Sequence, residues 1–289
     1  MSLRTRYVTA VLALIGFLGS VNADAQINAT QHVQDAVYCG GVVTTQPPNL
    51  STYVISGPES EVKDVFSQGN YVFINKGSAQ GVKVGDEFLA SRPETEQVPV
   101  PWFKGQIMLM KAMGTYYADL GRIKVVSLQQ NTSVAEVTLS CDYIQRGDVL
   151  EPFSERPVPT FKSEATIDRF AAPNGKPKAT IVFSKQFGQM NGTGTVVYVN
   201  LGSAQGVKIG DYFRVFRYQS SSREELYEYS GTADRLWGFG STPVPYSATE
   251  LPRDVIGEGV VLRIGPNAAT VILTNSTRGI FVGDYVEVE

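Results

Sequence analysis

Histidine is almost absent from this chain: His32, near the N-terminus, is the only one in 289 residues. That leaves a Ser–His triad or a histidine metal site with little to be built from. Cysteine is limited to Cys39 and Cys141, and without a Cys-x-x-Cys spacing neither a zinc ribbon nor a redox motif is indicated. There is no Gly-x-Ser-x-Gly elbow, P-loop, dinucleotide fingerprint or His-Glu-x-x-His. Basic residues do not outnumber acidic ones, 25 against 28, which argues against the concentrated basic face of a nucleic-acid binder. Past the N-terminus no apolar run is long enough to span a bilayer, so no transmembrane span is expected in the mature chain. These absences leave no cofactor, no metal and no catalytic residue to name. Acidic pairs suited to glycoside hydrolysis stay open, because their separation is a three-dimensional quantity.

The first residues indicate a compartment. Arg4 and Arg6 precede an apolar run from Tyr7 to Gly19, and Ala23-Asp24-Ala25 supplies small residues at a cleavage site. Residues 1–25 therefore read as a secretory signal peptide, with Gln26 opening the mature chain. An uncleaved anchor is the competing reading, but about 13 apolar residues fall short of the ~20 a spanning helix needs. The expected location is periplasmic or cell-surface and extracellular. In an oxidising compartment Cys39 and Cys141 are expected to pair, tying an N-terminal segment, residues 26–50, to the end of the first half. In the chain-entropy treatment such a long loop stabilises by ~4 kcal/mol. Gln31 to Tyr38 reads as a short helix ahead of the first cysteine.

What is abundant is glycine, 28 residues, together with Tyr and Phe at 14 each, a composition suited to strands joined by tight turns. It is organised as an internal repeat. Gly77-Ser78-Ala79-Gln80-Gly81-Val82-Lys83 recurs residue for residue as Gly202-Ser203-Ala204-Gln205-Gly206-Val207-Lys208, an offset of 125, and Gly85-Asp86 recurs as Gly210-Asp211. Downstream the offset becomes 136: the segment from Gly121 aligns with that from Gly257, and Gly147-Asp148 with Gly283-Asp284. The additional residues fall between Phe213 and Gly257, a longer loop in the second copy. Tyr71 to Asn75 alternates as a half-buried strand. Gly77 and Gly81 are expected to supply positive φ, Val82 and Val84 to tuck one face of the turn under the barrel, and each Asp of a Gly-Asp pair to bond nearby amides. A metal or acid–base role for the four Gly-Asp pairs is the alternative, but one pair per turn in both copies favours a structural role.

The expected fold is all-β: two tandem small barrels, SH3-like or similar, at residues 51–151 and 178–289. A small sandwich is the second choice. Residues 152–177 contain Pro152, Pro157, Pro159, Pro173 and Pro177 and read as an extended connector setting the angle between modules. Aromatics gather in the long loops: Trp102, Phe103, Tyr116 and Tyr117 in the first module, Trp237, Phe239 and Tyr246 in the second. On loops such rings stack on sugars or anchor a protein partner; alternatively each loop folds back to cap its own barrel.

At the repeated turn, Asn75, Gly77, Gly81, Val82, Gly85, Asp86 and Phe88, and again Asn200, Gly202, Gly206, Val207, Gly210, Asp211 and Phe213, the chain resembles the C-terminal domain of the flagellar assembly protein T family. That resemblance implies a small β-barrel in a bacterial envelope protein. The chain departs from the family in carrying two copies and in lacking clear equivalents of the family's preceding domains. The function expected is non-enzymatic: binding or scaffolding of an envelope protein or a cell-wall glycan. A peptidoglycan- or polysaccharide-binding protein and an unrecognised hydrolase are the alternatives.

Overall fold

The structure, a computed structural model, describes residues 35–58, 61–96, 98–162, 167–218 and 252–289. The expected signal peptide, the first residues of the expected helix and the aromatics Trp237, Phe239 and Tyr246 lie outside the described residues. Residues 35–39 are helical and lead through Gly40 into a short strand, β1 (Val42–Thr44).

The first module contains β2 (Val54–Ser56), β3 (Val65–Phe66), β4 (Tyr71–Ile74), β5 (Glu87–Glu94), a helix α1 (Gln106–Met113), β6 (Thr115–Leu128), β7 (Ser133–Ser140), β8 (Ile144–Gln145) and β9 (Val149–Pro152). The second contains β10 (Lys178–Ser184), β11 (Met190–Asn191), β12 (Val196–Val199), β13 (Tyr212–Arg217), β14 (Asp254–Ile264), β15 (Ala269–Ser276), β16 (Ile280–Phe281) and β17 (Tyr285–Val288). The second sheet closes into a barrel in the order β10-β12-β15-β14-β13-β17. The first runs β2-β4-β7-β6-β5-β9, the same order strand for strand. Its two ends meet at a Tyr53–Val149 bridge. Val54 donates to the Asp148 carbonyl at 2.9 Å, as Ile181 does to Asp284 at 2.8 Å. The two-stranded ribbons β3–β8 and β11–β16 correspond as well. The expected all-β barrel is thus observed, with closure rather than a sandwich.

The repeated turn explains why these strands form where they do. Ser78–Gln80 and Ser203–Gln205 are single 3-10 turns. In each, the glutamine accepts a bond from the opening glycine's amide, Gly77 to Gln80 at 2.9 Å and Gly202 to Gln205 at 2.8 Å. Gly81 and Gly206 both sit at φ +85°, a region closed to most side chains. Gly77 does not: its φ is −137°, so positive φ is not its role. A methyl group there would lie 2.3 Å from the Gln129 carbonyl oxygen, and close backbone approach is what requires glycine. The aspartates behave as turn acceptors. Asp86 and Asp211 receive the amides of Lys83 and Lys208, at 2.9 and 2.8 Å, while Asp148 and Asp284 receive those of Gln145 and Phe281, at 2.6 and 2.7 Å. Val82 is buried as expected, but Val84 is 63% exposed. The tight turn points it away from the barrel, and the inward alternation resumes only in β5.

Two apolar clusters form. One fills the second barrel, with Ile181, Val197, Phe213, Ile256 and Val271 among its members. The other starts inside the first barrel, at Val72, Ile74 and Ile123, and continues without a break into Phe183, Tyr198 and Leu262 on the outer face of the second. Strand β12 is accordingly buried on both faces, the condition under which a strand reads as a continuous apolar run. The barrels therefore pack directly on one another. The connecting segment does not stand between them as a free spacer: Arg156 pairs with Asp119, Arg169 with Asp254, and Lys162 with both Glu258 and Glu289.

Candidate functional site: the seam between the barrels

Strands β5 and β6 continue beyond the first barrel as a hairpin, past an irregularity at Ala90/Ser91, until Glu94 faces Tyr116. Strand β1 adds to its edge, pairing Val43 with Tyr116. The connection between β5 and β6 holds α1, a helix where only a loop was expected. It crosses to the second barrel instead of capping its own. Two polar contacts hold it there. The Trp102 indole Nε1 donates to the Val282 carbonyl at 2.9 Å. The buried Gln106 amide donates to Val182 O at 2.9 Å and accepts from the Val100 amide at 2.8 Å.

An aromatic group fills the seam. Phe183 stacks on Tyr198 and on Phe187, with centroids 4.4 and 5.6 Å apart, and Tyr116 packs edge-on to Phe183 at 5.4 Å. The Tyr198 hydroxyl donates to the Gly40 carbonyl at 2.7 Å and lies 2.9 Å from the Tyr116 hydroxyl. Burial pushes both phenols well above their ordinary range, so both are neutral hydrogen-bonding groups at physiological pH. Beside them Asp119 receives the Gly41 amide at 2.8 Å, a two-pronged Arg156 at 2.7 and 3.0 Å, and Arg263 from the second barrel at 3.1 Å. Burial holds the Arg263 guanidinium below its usual value, Arg156 adds to that effect and Asp119 opposes it. The disulfide Cys39–Cys141 anchors the N-terminal segment next to this knot, across a sequence separation of 102.

Two cavities flank the ribbon of β1 and β6. The larger, about 650 Å³, has a floor of Ile107, Met110, Tyr116 and Phe183 and a rim carrying Glu94, Glu96 and Lys111. Burial raises the Glu94 carboxyl above the usual carboxylate range, with Arg92 opposing. An apolar floor with a mainly acidic rim suits a ligand with an apolar body and a polar or cationic edge. The smaller cavity, about 310 Å³, is lined by Tyr117, Asp119, Arg156 and Arg263 among others. Its guanidiniums are engaged with Asp119, so it joins the modules more than it receives a ligand. Among the described residues no group of His, Cys, Asp or Glu could hold a metal ion, and no helix is long and apolar enough to cross a membrane.

Of the expected loop aromatics, Tyr116 and Tyr117 are buried, at 3% and 9% exposure. Trp102 and Phe103 are half-buried, the former bonded across the seam. Trp102 and Tyr116 join the two barrels. The sequence reading missed Arg92 and Arg217, which clamp the closing aspartates with paired bonds: Arg92 to Asp148 at 2.7 and 2.8 Å, Arg217 to Asp284 at 2.9 and 2.8 Å. They recur at the same offset of 125 as the glycines, and that signal could have found them. Asp119 aligns with Val255 at the offset of 136, so no repeat could have flagged it. Comparison with models of known families and with curated proteins gives no match.

Proposed function

We propose that this is a non-enzymatic exported protein of the cell envelope that binds or scaffolds an envelope component through its two barrels. The observation that carries the reading is the use made of its recurring polar residues. Every carboxylate of the four Gly-Asp pairs accepts a turn amide, and two of them are also locked to arginine. The repeat is thus a framework, and what differs between its copies, loops and outer faces, is left for recognition. The disulfide and the leader-like N-terminus support export. The resemblance of the turn to the flagellar assembly protein T domain supports the envelope, without assigning a flagellar role.

Crosslinking in intact cells, with fractionation, tests this. The expected result is an oxidised protein in the envelope fraction, captured with an envelope protein. A reduced protein in the cytosol overturns it. The glycan-binding reading draws on the larger cavity, where carboxylates rim an apolar floor that includes Tyr116 and Phe183; co-sedimentation with purified sacculi, lost on Glu94→Gln with Glu96→Gln, would favour it. Release of soluble sugars in the same assay would favour the hydrolase.

A further inference from the structure

The larger seam cavity is built by both modules. The β5–β6 hairpin contributes Glu94 and Tyr116, α1 contributes Met110 and Lys111, β10 of the second barrel contributes Phe183, and Thr45 follows β1. At about 650 Å³ it has the size of a pocket for a drug-sized ligand, and such pockets favour junctions between domains. Glu94 is its unusual group. Half-buried at the edge of an apolar floor, its carboxylate accepts no hydrogen bond and joins no ion pair among the described residues. The cations around it are engaged or apart. Arg92, on the same strand, is committed to Asp148 and the Tyr143 carbonyl. Lys185 of the second barrel acts on Glu94 only through space, and Lys111, exposed on α1, forms no ion pair with it. Glu96, by contrast, accepts the Val98 amide at 2.9 Å.

A ligand that covers this floor strips Glu94 of its remaining water. A neutral or acidic ligand would leave the carboxylate buried without a partner, which costs free energy. A cation held against it offsets that loss with a charge-assisted bond. We infer that the cavity takes an apolar peptide segment of a protein partner, with a hydrophobic side chain on Met110 and Phe183 and a basic side chain against Glu94. The inference rests on the reading of this chain as a protein-binding scaffold and gives the partner a chemistry. The two fail separately. A peptide that does not enter the cavity leaves capture of an envelope protein by another surface standing, and cells that yield no captured partner leave the preference of the cavity measurable on the purified chain.

The test uses the mature chain labelled with carbon-13 at its methionine methyls, titrated into the millimolar range with the peptide acetyl-Phe-Lys-Leu-amide. Met110 reports on the cavity floor. Met190, 67% exposed on the second barrel and no part of the lining, is the control. The expected result is a saturable shift of the Met110 methyl with Met190 unmoved. Replacing the lysine of the probe by norleucine or glutamate should weaken binding at least about tenfold. Glu94→Gln should do the same with an unchanged circular dichroism spectrum, and the norleucine probe carries the test in wild-type protein should that variant not fold. Lys111→Met, which removes the cation of the rim itself, should tighten binding. An unmoved Met110, equal affinity for the lysine and norleucine peptides, or looser binding by Lys111→Met overturns the inference. So does undiminished binding by a folded Glu94→Gln. A Met110 shift produced by chitotetraose and not by the peptides would put a glycan in the cavity and also overturn it.

Discussion

On the outer face of the second barrel, Val196, Tyr198, Val260 and Ile272 are buried against the first module. At the matching positions the first barrel carries Tyr71, Phe73, Lys124 and Glu136, all at least partly open to solvent. Both barrels have the same strand order, the same glycine turns and the same arginine–aspartate clamps, so this is divergence of one face on a fixed frame. Strand alternation makes it possible. Inward residues of β4 and β12 stay apolar in both copies, while outward residues are free to change because they do not touch the barrel interior. A duplicated module can thus become a receiver in one copy and an exposed surface in the other without disturbing the fold.

Truncating matching aromatics separates the two faces most strongly. Tyr198→Ala removes a fully buried ring, its stacking on Phe183 and the donor to Gly40. It is expected to cost about 3–5 kcal/mol, as buried aromatic truncations do. Phe73→Ala, half-exposed, should cost about 1–2 kcal/mol, the burial it has to lose. Urea unfolding midpoints measure both. Equal losses would mean that the faces are energetically alike and that the seam contributes little.

The closing clamps offer a second, smaller contrast. Asp284→Ala leaves Arg217, at 9% side-chain exposure, without its carboxylate, whereas Asp148→Ala leaves Arg92 at 16%, lying over the Tyr143 ring 4.8 Å from its centroid. Removing one partner of a buried pair costs about 3–5 kcal/mol. The second barrel should approach that figure, and the first should fall short by about 1 kcal/mol, since solvent screens the more exposed pair. Thermal unfolding of the two single variants decides it. A larger loss in the first barrel would reverse the ranking.

The barrels themselves were legible in the sequence because repetition and turn chemistry are local. Two glycines at positive φ and an aspartate three residues after the amide it caps leave a fixed spacing in the chain. The seam was not. Trp102, Tyr116 and Gln106 form their contacts with residues 76 to 180 positions away, and no periodicity marks partners that distant. Nor does the composition of the connection between modules, rich in proline, reveal that Arg156 and Lys162 are anchored to the barrels. Helix α1 was missed because Gln106 to Met113 is apolar on most sides, with Met108 exposed, and reads as loop cover as easily as helix.

Where the modules agree, substitutions should agree too. Gly77→Ala would place a methyl carbon 2.3 Å from the Gln129 carbonyl oxygen, and Gly202→Ala would place one 2.5 Å from that of Gly265. Each should cost about 1–3 kcal/mol, the range for forcing a carbon into a filled site, and the two should match within about 0.5 kcal/mol. Gly81→Ala and Gly206→Ala meet no neighbour within 4 Å but sit at φ +85°. They should cost about 1 kcal/mol, from backbone strain alone. A mismatch within either pair, read from chemical denaturation, would show that the turns carry different loads.

The smallest expected effect concerns Glu94, which lies in the seam cavity of the first module; the repeat offset of 125 places Gln219 at the matching point of the sequence. Burial lifts the Glu94 carboxyl above its unfolded value, Arg92 pulls it down, and Asp142 and Asp148 push it up again. Below about pH 4 the group is protonated in both states and contributes nothing. As pH rises, the unfolded chain ionises first, so native stability falls until the folded carboxyl has ionised as well. Glu94→Gln removes that loss and gives the first module the residue found at the second module's position. Its Tm should equal wild type near pH 3.5 and exceed it by about 1–2 °C at pH 7. A variant less stable than wild type at pH 7 would mean that the Glu94 charge is held favourably in the folded chain, and the cavity rim would then be a preorganised anionic site rather than a strained one.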